Sequence, residues 1–326
     1  MNPAWDDESI RPKEAGRIAR YRRLQSWYRE VQLGALPGTW PGKATNTPLG
    51  SMLSDADVVA QPDLNFLHPD AYAHAVDRIR VVRGEGGALD PKRLTANMLS
   101  SMPLCFNLFG ALRNAPGFLG LFQQLFDPDA TSIVDVQCEW SPQPATAFLD
   151  DRTAFDAIVF YERPDGPAFY GIETKYTEPF SQKQYEPTKR YRQVTADCGW
   201  FEDPVGAPHR LKASRSNQLW RNVMLAASME LAGLRGRGSV AVVALKGDPG
   251  AAKACAAVSN ELSSTGRDRL RSVSLEQIAD VARSSDAELC AWANRFHRRY
   301  LDVEAPNRRE QRDPAGPTLG KPLSAR

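Results

Sequence analysis

Near the middle of the chain lie two apolar runs, Arg152-Thr-Ala-Phe-Asp156-Ala-Ile-Val-Phe-Tyr161 and Ala168-Phe-Tyr-Gly-Ile-Glu173-Thr-Lys175-Tyr176. Both are rich in β-branched and aromatic residues, a composition typical of β-strands. The segment between them, Glu162-Arg-Pro-Asp-Gly-Pro167, consists mostly of residues that favour turns. The two runs and their connection therefore predict a β-hairpin, from which the rest of the fold can be worked out.

The elements on either side of the hairpin define the fold class. Before it, residues 92–126 have helical patterns and Ser132–Trp140 alternates like a strand; after it come a predicted helix from Ser216 to Gly233 and a buried strand from Ser239 to Lys246. The order is therefore helix, strand, strand, strand, helix, strand. This order predicts an α/β fold in which a mixed sheet is flanked by helices and the last strand joins after a crossover.

The remaining segments are predicted to surround this core. We expect four units: an N-terminal helical and irregular extension over residues 1–90, the core over 91–248, C-terminal helices packed on the core over 249–303, and a disordered tail over 304–326. Within these units, the sequence predicts an amphipathic helix over 10–33, irregular structure over 34–66, and two or three helices over 250–302.

The hairpin also carries the residues that can perform chemistry. Asp156 begins its first strand, while Glu173 and Lys175 are two residues apart on the second and so project from the same face. Two carboxylates that can bind a hard divalent cation, beside an ammonium that can orient a water, suit metal-assisted hydrolysis of a phosphodiester. The alternative is a half-exposed Glu173–Lys175 ion pair, which would stabilise the fold little. The apolar surroundings favour the first interpretation, since an isolated buried charge is costly.

Composition excludes several other classes of protein. The chain has 326 residues, 42% of them apolar, and a formal net charge of only +2, which argues neither for nor against a nucleic-acid partner. We find no apolar run long enough for a membrane span and no secretory signal pattern at the N-terminus, so no membrane partner is expected. The five cysteines are scattered without a Cys-x-x-Cys pair, which indicates neither a zinc site nor a disulfide framework. A cytoplasmic location is the default expectation.

Asp156, Glu173 and Lys175, in this order of helices and strands, resemble the motif of the PD-(D/E)XK, or restriction-endonuclease-like, nuclease superfamily. Phe155 stands where the motif's name has a proline, a position that varies in the superfamily. A bacterial subgroup is indicated more narrowly by four segments: Ser100–Phe109, Glu139-Trp140, Asp151–Asp156 and Gly171–Tyr176. The resemblance covers roughly residues 92–248 and implies a restriction-endonuclease-like core of order α-β-β-β-α-β, with helical additions at both ends.

The resemblance also implies roles for individual residues. Asp156 and Glu173 would hold Mg²⁺, for which Mn²⁺ could substitute, with the Thr174 carbonyl as a further ligand and Lys175 orienting the attacking water. Glu139 is either an additional metal ligand or a glutamate at the rim of the site. Gln218 occupies the position of the glutamine in the Gln-x-x-x-Tyr motif of RecB-type nucleases, which helps to position substrate and metal, so Gln218 is a further candidate catalytic residue. Asn222 replaces the tyrosine of that motif.

Basic residues after the hairpin are candidates for contacts with nucleic acid. Lys189, Arg190 and Arg192 lie in one basic stretch and Arg221 in the next. Such clusters bind phosphates, although a solvated helix face has the same composition. The resemblance implies nucleic acid, and specifically DNA, as the partner. We find no helix-turn-helix or zinc finger, so sequence-specific cutting is not expected unless a partner supplies the specificity. A homodimer is the alternative expectation.

The sequence therefore predicts a metal-dependent nuclease that hydrolyses DNA phosphodiester bonds. Two other hypotheses stay open: a catalytically silent nucleic-acid-binding module of the same fold, and a hydrolase of a substrate other than nucleic acid. A silent copy is expected to lose at least one of Asp156, Glu173 and Lys175, and all three are present.

Overall fold

The structure is a computed structural model that describes residue 6 and residues 16–39, 47–84, 89–181, 183–213 and 216–308. Helices dominate its N-terminal part, where α1 (Gly16–Trp27) continues as a π-helix over Tyr28–Leu33. A two-stranded antiparallel sheet follows, formed by β1 (Pro37–Thr39) and β2 (Pro48–Leu53). The next helices are α2 (Asp55–Ala60), α3 (Pro69–Gly84), α4 (Pro91–Ala96), α5 (Ser101–Cys105, continuing as a π-helix over Phe106–Gly110) and α6 (Phe118–Leu125).

The centre of the molecule is a five-stranded mixed sheet. Its strands, in spatial order, are β3 (Ser132–Trp140), β4 (Phe155–Arg163), β5 (Gly166–Thr174), β6 (Arg237–Ala244) and β7 (Leu270–Ser274). The first three strands pair antiparallel, whereas β6 joins β5, and β7 joins β6, in parallel. Parallel neighbours need a crossover connection, and helices supply it in both cases.

Helices cover both faces of this sheet. Those after the hairpin are α7 (Lys189–Asp197), α8 (Ala207–Leu211), α9 (Asn217–Leu231), α10 (Pro249–Ser259), α11 (Ser264–Arg267), α12 (Leu275–Arg283) and α13 (Ala287–Tyr300). Successive side chains of a strand point to opposite faces of the sheet, so each strand contributes residues to two cores. Val159 packs in the core shared with α3, α5, α6, α12 and α13, whereas Ile158 packs in the core shared with α7, α9 and α10.

The hairpin between β4 and β5 fixes where the two candidate acids meet. Arg163 pairs with Gly166 across a tight turn, and Gly166 has a φ of 124°, which a residue with a side chain rarely adopts. The register that follows pairs Ala157 with Ile172. Asp156, one residue earlier on β4, is therefore beside the end of β5, where Glu173 and Thr174 lie.

The predicted fold class is confirmed: the helix-strand-strand-strand-helix-strand order and the mixed sheet are those of the restriction-endonuclease-like fold. Two local predictions were wrong. Residues 250–302 contain the strand β7 as well as four helices, and residues 34–66 contain β1, β2 and α2. The four-unit division stays a prediction. Of its disordered tail, residues 309–326 lie outside the described residues, while Ala305 is buried. No helix in the described ranges is long and apolar enough to cross a membrane.

Candidate active site

Asp156 lies at the second position of β4, where the strand meets the end of β5. Its Oδ2 accepts hydrogen bonds from the Thr174 backbone N–H at 2.7 Å and from the Thr174 hydroxyl at 2.9 Å. Asp156 Oδ1 accepts no hydrogen bond from the described residues. One oxygen therefore fixes the carboxylate to β5, and the other is available to a ligand.

Glu173 is nearly enclosed, with 2% of its surface exposed. Its Oε1 accepts from Gln218 Nε2 and faces Lys175 Nζ, both at 2.6 Å, and its Oε2 accepts from Asn222 Nδ2 at 2.6 Å. Gln218 and Asn222 are four residues apart on α9 and so share one helical face. A carboxylate offers about four acceptor positions, and three donors leave one of them, on Oε2, unfilled.

Lys175 follows β5 directly and is anchored by its backbone N–H, which donates to the Val243 carbonyl at 2.8 Å. Its ammonium pairs with Glu173, donates to Gln218 Oε1 at 3.3 Å and lies 4.8 Å from the centre of the Phe180 ring. The pKa of Lys175 is raised: burial disfavours its charge, but Glu173 and then Asp156 stabilise that charge more. The ammonium is therefore protonated and held beside both acids.

Gln218 connects the acid and the lysine. Its Oε1 also accepts from the Ser181 backbone N–H at 2.8 Å, and this donor, together with Lys175, fixes the orientation of the side-chain amide. With Oε1 thus occupied by donors, Nε2 points to Glu173. Gln218 therefore accepts from the ammonium and donates to the carboxylate, so it can set the position of both.

Glu139 is at the end of β3, with a left-handed backbone φ of 49°. Buried Arg78, on α3, stabilises this conformation by donating to the carbonyls of Cys138 and Glu139, both at 2.8 Å. The Glu139 carboxylate accepts no hydrogen bond from the described residues. It nevertheless lies close enough to Asp156 and Glu173 to feel their charges.

Burial, together with repulsion among these acids, raises two pKa values. Burial, reinforced by the charge of Glu173 and opposed by Lys175 and Thr174, raises the pKa of Asp156 to about 7. Burial, followed by the charge of Asp156, raises the pKa of Glu139 to about 8. Perturbed acids that face one another are typical of functional sites, where a bound cation relieves the repulsion.

The carboxylate oxygens of this site suit a hard divalent cation that keeps several of its waters. Among the described residues, no group of three His, Cys, Asp or Glu side chains is arranged to hold a metal ion together. Mg²⁺ does not need such a cage, since it is usually bound by one or two carboxylates and keeps several waters. The open Oδ1 of Asp156, the remaining position on Glu173 Oε2 and the Glu139 carboxylate are oxygen donors of the kind this ion prefers.

The predicted nucleic-acid contacts differ in their surroundings. Lys189 and Arg192 are exposed on α7, as a phosphate contact requires. Arg190 donates to the Phe148 carbonyl at 2.6 Å and to the Ala147 carbonyl at 3.1 Å. Arg221 pairs with Asp151 at 3.1 Å, so its charge is already balanced within the protein.

Five residues predicted to share one site lie together in the structure: Asp156, Glu173, Thr174, Lys175 and Gln218. Asn222, Ser181 and Arg78 also belong to the cluster but were not among the predicted site residues. The four-residue spacing of Gln218 and Asn222 was a visible signal for Asn222. The contacts of Ser181 and Arg78 depend on a backbone N–H and on distant carbonyls, which no sequence pattern marks.

A family model described as the PD-(D/E)XK nuclease superfamily matches residues 12–302. Neither the curated proteins nor the solved structures give a significant match. The matched range takes in all five strands of the central sheet and every residue of the cluster around Asp156 and Glu173. The chain therefore belongs to the PD-(D/E)XK nuclease superfamily.

Proposed function

We propose that the protein is a Mg²⁺-dependent nuclease that hydrolyses DNA phosphodiester bonds at the site around Asp156, Glu173 and Lys175. The observation that carries the proposal is the contact between Lys175 Nζ and Glu173 Oε1 at 2.6 Å, beside an Asp156 carboxylate with one open oxygen. A purely structural ion pair would not require a second acid whose pKa is raised by burial and by the charge of Glu173.

Each residue has a distinct part in this proposal. Asp156 and Glu173 would hold the metal, with the Thr174 carbonyl and Glu139 as further oxygen donors. When bound, Mg²⁺ neutralises charge on the phosphate and lowers the pKa of water. An ammonium has three N–H donors, and Lys175 uses them on Glu173 and Gln218 with one to spare. That donor would orient the attacking water or stabilise negative charge that develops on the phosphate.

Gln218 and Asn222 serve as positioning residues in this proposal. Both donate to Glu173, and Gln218 also accepts from Lys175. The two amides therefore restrict rotation of the acid and fix its distance from the ammonium. Such restriction matters because a displacement of about 1 Å at a reacting group can cost about a hundredfold in rate.

DNA as the substrate, and Lys189, Arg190, Arg192 and Arg221 as its contacts, are also proposals. The exposure of Lys189 and Arg192 supports them. The Asp151–Arg221 pair means that Arg221 would have to exchange Asp151 for a phosphate. A cytoplasmic location, and a homodimer or another partner that supplies specificity, stay predictions.

The test is cleavage of linear, circular and single-stranded DNA, with Mg²⁺ or Mn²⁺, by the wild type and by Lys175→Ala. We expect metal-dependent cleavage that falls by at least about a hundredfold in the variant, because charge stabilisation is lost. Lys253→Ala is a matched control, since Lys253 is exposed on α10. Binding of Mg²⁺ by calorimetry, compared between the wild type and Asp156→Asn, adds a readout that does not depend on activity.

The same experiment separates the alternatives. DNA binding without cleavage by either protein would favour a catalytically silent binding module. Neither binding nor cleavage, together with Mg²⁺ binding that is lost in Asp156→Asn, would favour a hydrolase of another substrate. Cleavage that is unchanged in Lys175→Ala would contradict the site assignment.

A further inference from the structure

A polar cavity lies at the end of the central sheet opposite Asp156 and Glu173. It has a volume of about 370 Å³, and its lining includes Arg163 at the end of β4, Arg237 at the start of β6 and Arg271 in β7. Along β5 and β6, the register runs from Ala168 opposite Arg237 to Thr174 opposite Val243. At about 3.3 Å per residue, the two sites are roughly 20 Å apart.

The arginines that line this cavity are not all balanced by acids. Arg163 donates to Asp129 at 3.0 Å and to Asp127, so it is fully paired. In the described part of the chain, three other lining arginines have no acidic partner, namely Arg237, Arg267 and Arg271. Asp268 is the one lining carboxylate that lies in no ion pair within the same part. Together, the four arginines and three aspartates give the lining a net charge of +1.

Of these three arginines, Arg237 gives the strongest argument for a bound ligand. Its Nε is buried and has no hydrogen-bond partner in the described structure, and no other hydrogen bond of its guanidinium is found there. A buried charged donor without a partner is costly, so such a group is expected to gain a ligand. Arg271 uses one nitrogen on the Leu125 carbonyl at 2.9 Å, and Arg267 uses one on the Leu262 carbonyl at 2.7 Å. Each keeps further N–H groups for a ligand.

We propose that this cavity is a phosphate-binding site, distinct from the site around Asp156 and Glu173. A phosphate offers several anionic oxygens, and guanidinium groups recognise them with paired hydrogen bonds. The volume is sufficient for a phosphate with its waters or for a mononucleotide. The phosphate is either free in solution, as inorganic phosphate or a nucleotide, or part of a nucleic-acid backbone. The proposal does not depend on the proposed nuclease activity.

The test uses the full chain in EDTA, so that no metal-dependent site contributes. Binding of inorganic phosphate and of deoxyadenosine monophosphate is measured by calorimetry for the wild type, Arg237→Gln and Arg271→Gln. We expect saturable binding that weakens by at least about tenfold in each variant, because charge-assisted hydrogen bonds are lost. Arg80→Gln is the matched control, since the Arg80 side chain is 77% exposed and is not part of the cavity lining.

Two results would overturn the proposal: no saturable binding of either probe by the wild type, or the same affinity in both cavity variants as in the wild type. If Arg237→Gln fails to fold, as judged by circular dichroism, Arg271→Gln decides, since Arg271 is exposed. A short unphosphorylated oligodeoxynucleotide then identifies the source of the phosphate. Competition between it and inorganic phosphate, lost in the variants, indicates a backbone phosphate; no competition indicates a free one.

Discussion

At the scale of single residues, Asn222 helps to fix the position of the Glu173 carboxylate. Asn222 is buried and is the one described donor to Glu173 Oε2, at 2.6 Å. We predict that Asn222→Ala lowers the free energy of unfolding by about 1.5–3 kcal/mol, because it removes a hydrogen bond to a charged group and leaves that oxygen buried. Urea unfolding of the metal-free protein measures the change.

Asn294→Ala provides the comparison for this prediction. Asn294 is exposed on α13, and within the described residues its amide donates one hydrogen bond, to the Cys290 sulfur at 3.8 Å. An exposed substitution of this kind is expected to change stability by less than about 0.5 kcal/mol. Equal, small losses in the two variants would show that Asn222 does not restrain Glu173.

Asp156 makes the stability of the metal-free protein depend on pH. Its pKa is about 7 in the folded protein, against about 3.9 for an unperturbed aspartate. Between these values the folded state binds more protons than the unfolded state, so the free energy of unfolding falls as pH rises from about 4 to about 7. Asn cannot titrate, and we predict that Asp156→Asn reduces this fall.

Unfolding by urea in EDTA, at several pH values across that window, measures the effect. Glu139 has a pKa of about 8, raised by burial and then by Asp156, so a smaller decline is expected to persist in the variant. Asp77→Asn is the control, because the Asp77 side chain is 71% exposed on α3. A wild-type slope in Asp156→Asn would contradict the prediction.

Contacts between residues close together in the sequence could be predicted, whereas contacts between residues far apart in the sequence could not. Glu173 and Lys175 are two positions apart, so their proximity was evident from the sequence alone. The Asp151–Arg221 pair joins residues 70 positions apart, and only tertiary packing reveals that Arg221 already has a partner. Arg78 and Glu139 are separated by 61 positions, and the left-handed backbone that Arg78 stabilises has no signature in sequence.

At the scale of elements, the close packing of Phe155 against Gly171 connects β4 and β5 near the site. A Cβ added at Gly171 would overlap the Phe155 ring. We predict that Gly171→Ala lowers the free energy of unfolding by about 1–3 kcal/mol, because the ring must move in a packed core. Asp156 follows Phe155 directly, so weaker Mg²⁺ binding is also expected. Urea unfolding and calorimetry measure the two effects.

Gly120→Ala is the matched control for Gly171→Ala. Gly120 lies inside α6, and a Cβ there would meet no atom of the described residues within 4 Å. Alanine in place of a helical glycine is expected to leave stability unchanged or to raise it by up to about 1 kcal/mol. If Gly171→Ala also behaved in this way, the hairpin would be more adaptable than its packing indicates.

Strands and helices with strong hydrophobic patterns could be predicted from the sequence, and those with weak hydrophobic patterns could not. The apolar strands β4, β5 and β6 and the helix α9 were all expected close to their observed bounds. The strand β7, Leu270-Arg-Ser-Val-Ser274, buries only Val273 fully and exposes Arg271 and Ser272. It is a short edge strand whose stability comes from pairing with β6, which its own sequence does not show.

At the scale of the whole molecule, the core on one face of the sheet draws on all three predicted structured units. Phe66 and Ala71 come from the N-terminal extension, Val159 from the predicted nuclease core, and Trp292 and Phe296 from the C-terminal helices. Buried Gln25 adds a polar connection, since it donates to Tyr176 Oη at 3.1 Å and to the Arg299 carbonyl at 2.6 Å. Shared burial of this kind couples the units energetically.

We therefore predict that the chain unfolds as one unit and that residues 91–248 do not fold alone. The fragment 91–248 lacks Trp292, Phe296 and the other residues outside it that belong to the same core as Val159. The core that remains would be partly exposed and would not offset the loss of conformational entropy. Full-length protein and a fragment of residues 16–308 should each show one transition, coincident by tryptophan fluorescence and circular dichroism. Cooperative unfolding of the fragment 91–248 would instead show that the nuclease core is an independent domain.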